Sequence, residues 1–140
     1  MNVNPYLFFQ GQCEEALRFY ADLLGGEILA LLPYGPEGCQ DMPGAKQDWI
    51  MHGCVKLDGT VLMGSDGPPD RYQAPIGLSV SLEVNDPGQA EKIFEALCSG
   101  GSVTMPMEET FWALRFGMAT DRFGIPWMVN CPNPEAGCPE

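Results

Sequence analysis

The chain has 140 residues, enough for one domain with a buried core or for two very small modules fused together. Apolar residues make up 45%, an ordinary globular share, but the 19% that are charged carry a formal net charge of −12. A field of that sign repels phosphate backbones and anionic lipid heads, so neither nucleic acid nor a membrane surface is an expected partner, whereas a cationic small molecule would be attracted. No segment is long and apolar enough to span a bilayer. The N-terminal MNVNPYLFFQGQ lacks the basic and apolar runs of a signal peptide, so the expected location is the cytoplasm. The six cysteines, Cys13, Cys39, Cys54, Cys98, Cys131 and Cys138, form no CxxC pair and no zinc-finger spacing with His52, the only histidine. In a reducing compartment they are expected as free thiols.

Along the chain, VNPYLFF reads as a strand. In CEEALRFYADLLGG, Ala16, Leu17, Tyr20, Leu23 and Leu24 recur at helical spacing, Glu14 and Glu15 sit in the first turn, and Gly25-Gly26 stops the helix. EILALLPY reads as a strand. Gly35 to Gln47 is rich in Pro and Gly and reads as a long loop, of the kind that often serves as a lid. DWIMHGCVKL and TVLMGS read as strands joined by a tight turn at Asp58-Gly59. DGPPDRYQAP is a linker, because Pro68 and Pro69 forbid regular structure.

The order then restarts. GLSVSLEV alternates as a strand does. NDPGQAEKIFEALCSGG carries a helix signature: Asp86 at the N-cap, Pro87 at the first helical position and Gln89 completing a capping box. SVTMPME, FWALRFGMAT and IPWMVN follow as strands. The predicted order is therefore βαβββ twice. A shift of 74 places Ala16 on Ala90, Tyr20 on Phe94, Leu23 on Leu97 and Gly26 on Gly100, a faint internal repeat. The expected organisation is a first module at 1–67, a linker at 68–76, a second module at 77–131 and a flexible tail at 132–140, an α+β arrangement. One helix covers one face of each sheet, so the other face must be buried elsewhere or enclose something.

This order, with the stretches PYLFFQGQCEEALRFY, IMHGCVKLDGTVLMGSD and EETFWALRFGMATDRFGIPWMVN, resembles the vicinal oxygen chelate superfamily of glyoxalases, bleomycin-resistance proteins and dioxygenases, and within it the PhnB-like branch. The resemblance spans about Asn4 to Asn130. It implies a glyoxalase-like fold in which two βαβββ modules form a curled mixed sheet around a cup, with the helices outside, and it implies a homodimer. Some PhnB-like chains carry the label 3-demethylubiquinone 3-methyltransferase. That chemistry is not expected here, because the glycines are helix stops and hairpin turns rather than a nucleotide-gripping turn.

Superfamily enzymes hold a divalent metal with His, Glu or Gln from four strands, and the resemblance carries those positions onto Pro5, Met63, Ser79 and Met128. These offer no imidazole and no carboxylate, and thioethers suit soft copper rather than zinc, nickel or iron. No metal ligand and no cofactor is therefore expected.

Alternation puts Ser79, Ser81 and Glu83 on one face of their strand, with the serines facing the cup. Ile50, His52, Cys54 and Lys56 share a face of theirs. His52 can be a general base, a hydrogen-bonding group for a ligand or a core residue paired with backbone. Trp127 is expected in the core, while Trp112, sharing a face with Thr110, is expected at the cup or a dimer seam. Arg115 sits mid-strand, where an unpaired charge is costly. It should pair with Glu108 or Glu109, or bind an anionic ligand. The candidate ligand-binding set is Ser79, Ser81, His52, Trp112 and Arg115, and the candidate acid–base groups are His52 and Glu109. The expected function is small-molecule binding in a metal-free cup, in the manner of bleomycin-resistance proteins. The alternative is a lyase, isomerase or dioxygenase, metal-dependent or working by acid–base chemistry.

Overall fold

A computed structural model describes residues 1–136; Cys138 and the rest of the expected tail after Ala136 lie outside the described residues. The chain divides into two compact units, Met1–Gln73 and a second beginning at Ala74. The first contains β1 (Tyr6–Phe9), α1 (Cys13–Leu24), β2 (Glu27–Pro33), α2 (Gly35–Asp41), β3 (Ile50–Leu57) and β4 (Thr60–Asp66). The second contains β5 (Val80–Glu83), α3 (Pro87–Cys98), β6 (Ser102–Glu108), β7 (Ala113–Thr120) and β8 (Pro126–Pro132).

Each unit folds into a four-stranded mixed sheet, ordered β1-β4-β3-β2 in one and β5-β8-β7-β6 in the other. In both, the first strand pairs in parallel with the last, and the remaining pairs are antiparallel. The faint repeat in sequence is thus a full repeat in topology.

In the first unit α1 packs on β3, β2 and β4. Ala16, Leu17 and Tyr20 of the expected stripe are buried, joined by Cys13 and Ala21, whereas Leu23 and Leu24 in the last turn are only half-buried. Gly25 caps the helix in the left-handed conformation, its N–H donating to the Ala21 carbonyl. The helix meets the sheet closely at Gly53, where a Cβ would stand 2.5 Å from Leu17 Cδ1. Leu7, Phe9, Val55 and Leu62 complete this core. In the second unit α3 packs on β7, β8 and β6, burying Ala90, Ile93, Phe94 and Leu97. Gly117 plays the part of Gly53 there, a Cβ on it standing 2.7 Å from Phe94 Cε1. Trp127, Val129 and Cys131 of β8 are buried on the helix side, so Trp127 is core as expected.

Two buried carboxylates fasten the elements. Asp66, at the end of β4, accepts from the backbone N–H groups of Gly11 at 2.8 Å, Cys13 at 2.9 Å and Ile50 at 2.9 Å. It thereby ties the start of α1 and the start of β3 to β4. Asp121 accepts from Phe123 N–H at 2.9 Å, Ile125 N–H at 3.0 Å and the Trp127 indole at 2.8 Å, which sets the loop before β8. Asp86 caps α3 as its position predicts, accepting from Gln89 N–H at 2.9 Å.

Several elements depart from the sequence expectation. The loop expected from Gly35 to Gln47 begins with α2. That helix buries no residue, so there was no apolar stripe to announce it. The strand expected from Gly77 is confined to Val80–Glu83, which leaves Ser79 just outside it. Thr110 and Trp112 do not open a strand. Thr110 Oγ1 accepts from the N–H groups of Trp112 and Ala113, forming a turn before β7. The tail expected from 132 starts inside β8, and Asn133 N–H donates to the Trp112 carbonyl at 3.0 Å.

Candidate functional site

Each sheet turns one face to its helix and leaves the other open. In the first unit, Gly53 and Gly64 face α1, the glycine positions abutting Leu17 and Cys13. The residues between them in register therefore project to the open side. Tyr6 stands beside Met63, and Met63 beside Cys54. Phe8 stands beside Ser65, while His52 stands beside Leu32.

The aromatic residues of this face are exposed, Tyr6 at 38% and Phe8 at 59%, their ring centroids 5.2 Å apart. Tyr6 Oη and His52 Nδ1 share a hydrogen bond of 3.1 Å, the donor being set by the imidazole tautomer. Their rings lie 5.7 Å apart. His52 is thus brought to a pair that alternation alone could not reveal, because Tyr6 lies 46 residues away on a strand separated from β3 by β4. Ile50 leaves the face expected for it. A register shift accompanies the step from Leu32 to Pro33, and Ile50 is buried next to Gly53 on the helix side.

In the second unit the open face carries Ser81 and Glu83 of β5, Met128 and Asn130 of β8, Phe116 and Met118 of β7, and Met105 and Glu108 of β6. Trp112 leans on Phe116 edge to face, with centroids 5.5 Å apart, and Phe111 stands 83% exposed against Trp112. Asn130 Oδ1 is buried there without a hydrogen-bond partner among the described residues.

The structure relocates Arg115. It is paired, but with Glu91 of α3 at 2.9 Å rather than with Glu108 or Glu109. That partner holds it on the helix side, away from the open face that carries Ser81 and Phe116. Glu109 is exposed in the turn after β6 and belongs to a different unit from His52.

The register also corrects the metal positions. Met63 stands beside Tyr6 rather than Pro5, and Met128 beside Ser81 rather than Ser79. A phenol, a hydroxyl and two thioethers do not fit the imidazole and carboxylate demands of a hard or borderline divalent metal. Among the described residues no group of three or more His, Cys, Asp or Glu is placed to hold a metal ion.

The thiols are poor nucleophiles where they are deepest. Burial, with Asp66 and then Glu14 adding to it, raises the Cys13 pKa far above its ordinary value. Burial, then Asp86, raises that of Cys131. Cys54 is half-buried on the open face. On the helix side, a groove at the start of α1 is lined by Glu14, Arg18, Leu31, Pro33, Gln47 and Asp48, and Arg18 is held by Glu14 at 3.0 Å. No helix is long and apolar enough to cross a membrane among the described residues.

Comparison with known proteins agrees with this architecture. The family model described as 3-demethylubiquinone-9 3-methyltransferase matches residues 1–130. Protein YjdN of Escherichia coli is 34% identical over 139 residues, covering 93% of this chain and 95% of its own. The crystal structure of protein PA1353 from Pseudomonas aeruginosa is 44% identical with a TM-score of 0.83, covering 94% of this chain and 98% of that one. The fosfomycin resistance protein FosX from Listeria monocytogenes shares the fold at 9% identity, with a TM-score of 0.67 over 97% of this chain and 96% of its own. The fold is the α+β glyoxalase/bleomycin-resistance type.

Proposed function

This chain belongs to the 3-demethylubiquinone-9 3-methyltransferase family, the PhnB-like branch of the vicinal oxygen chelate superfamily, and from that premise we propose that it binds a small aromatic cation on the open faces of its sheets. The observation that carries the reading is the Tyr6–His52 pair set among exposed aromatic side chains on the sheet face opposite α1. An apolar face with a few convergent polar groups is the usual make-up of a ligand site. Cation–π contact with Tyr6 and Phe8 and the net charge of −12 both favour a positive ligand. The protein acts as a sequestering protein, as a homodimer whose open faces are covered by ligand or by a second copy, in the cytoplasm, and without a cofactor.

A second reading keeps the Tyr6–His52 hydrogen bond as an acid–base pair for a lyase or isomerase, since each group can give or take a proton through the other. Methyl transfer finds no support in the turn between β1 and α1. Its glycine, Gly11, is packed against Trp49, and the N–H groups of Gly11 and Cys13 are taken by Asp66.

Thermal unfolding with ethidium, a planar aromatic cation, tests the first reading against an anionic aromatic control. Ethidium should raise the midpoint, because a ligand bound only by the native state stabilises it. Tyr6→Phe and His52→Ala should each weaken binding about tenfold, or roughly 1.4 kcal/mol. Equal response to both compounds, or none to either, would overturn it.

A further inference from the structure

The open face of the second sheet holds a row of three methionines. Met105 of β6 is in register with Met118 of β7, and Met118 with Met128 of β8. Adjacent strands lie about 4.8 Å apart, and the methionine side chain has three rotatable bonds, so three thioether sulfurs in one row can converge on a single point. Their common side is established by their neighbours. Met118 follows Gly117, whose missing side chain would point into Phe94 of α3, and Met128 lies between the buried Trp127 and Val129. Met118 and Met128 are half-buried and Met105 is exposed, so the row is open to solvent at its β6 end.

The first unit repeats the pattern. Its row at the matching place runs Tyr6, Met63, Cys54, again with sulfur on the two inner strands. Two copies of one topology therefore both carry sulfur on their two inner strands.

We propose that Met105, Met118 and Met128 form a binding site for a soft monovalent metal ion, Cu(I) or Ag(I). Thioethers are neutral, polarisable donors that select soft ions and leave hard divalent ions in water. Three of them satisfy a trigonal d10 ion without deprotonation, so binding needs no thiolate and releases no proton. Glu108 and Glu83, on the same open face, supply negative charge that favours a cation without needing to ligate it. The site stands apart from the reading of the Tyr6–His52 face and does not depend on it.

Titration of the full chain with silver nitrate in chloride-free buffer, followed through 13C-labelled methionine methyl groups, tests the site. Single Met→Leu variants assign the signals. At one equivalent the signals of Met105, Met118 and Met128 should move together, while Met107, which abuts the Gly117 position from the helix side, and Met51 of the first unit stay in place. Met118→Leu, a near-isosteric change, should lower Ag(I) affinity at least tenfold. Met105→Leu, at the exposed end, serves the same purpose if Met118→Leu fails to fold. Silver taken up with the three signals unmoved would place the metal on the half-exposed thiols and overturn the proposal. Equal movement of all methionine signals, or unchanged affinity in both variants, would overturn it as well.

Discussion

The two units share one strand order and one helix placement, yet each is fastened by a carboxylate used differently. Asp66 gathers N–H groups that lie 55, 53 and 16 residues away, from the turn before α1, the first residue of α1 and the first of β3. Asp121 gathers N–H groups 2, 4 and 6 residues away, all in the loop and the strand that follow it. Both are buried, at 2% and 3% exposure, so both depend on their donors to offset lost hydration. The same chemistry serves as a clamp between distant elements in one copy and as a turn former in the other. A repeated fold therefore does not imply repeated means of holding it together.

Substitution of the two carboxylates is the sharpest way to break this contrast. Asp66→Ala leaves the buried N–H groups of Cys13 and Ile50 and the part-buried one of Gly11 unpaired, and should cost about 3–5 kcal/mol and loosen the whole first unit. Asp121→Ala should cost about 2–3 kcal/mol, because the groups it frees all lie within six residues of it and can rearrange as one short segment. Chemical denaturation measures the totals. Hydrogen exchange should show loss of protection spread over α1, β3 and β4 in the first variant, but limited to β8 and its loop in the second. Equal costs and equal spread would remove the distinction.

A smaller effect separates the units at alkaline pH. Cys13 in the first and Cys131 in the second both have raised pKa values in the folded state, by burial first and nearby carboxylates second. The unfolded thiol ionises near 9, so above that pH the unfolded chain releases a proton that the folded chain keeps, and stability falls. The loss should be steeper for Cys13, which has Asp66 beside it. Cys13→Ala should flatten the decline between pH 9 and 10.5 more than Cys131→Ala does, as read from denaturation midpoints. The smallest effect is expected at Arg115. Its pair with Glu91 is about 40% exposed, and Arg115→Ala should cost no more than about 1 kcal/mol. A larger loss would mean that the pair fastens α3 to β7 as firmly as Asp66 fastens α1.

What could be read from the sequence was mostly local. The stripe residues Ala16, Leu17 and Tyr20 of α1, the Asp58-Gly59 turn and the Asp86 cap each depend on residues within a few positions, and each stands where expected. The order of elements followed from these. Long-range pairing could not be read in the same way. Asp66 read as the first residue of a linker, and nothing near it in sequence showed that it would collect donors from Gly11 and Ile50. Arg115 had Glu108 and Glu109 close in sequence, but its partner Glu91 came from the helix that packs across the strand. The Tyr6–His52 pair and the methionine row needed register, which alternation within a single strand does not supply. The aromatic content of the segment from Phe111 to Phe116 was evident, but Thr110 makes a turn there, and the turn is what brings Trp112 onto Phe116.

The separation of the Asp66 donors has a consequence for how the chain comes together. Closing a loop of 53 residues costs more chain entropy than closing one of 4 by about (3/2)RT ln(53/4), roughly 2 kcal/mol. The Asp121 contacts can therefore form in a short stretch of otherwise unstructured chain, whereas those of Asp66 are reached only after β1, α1 and β4 have been drawn into one place. The first unit carries its clamp as a late, cooperative contact, and the second carries its own as an early, local one.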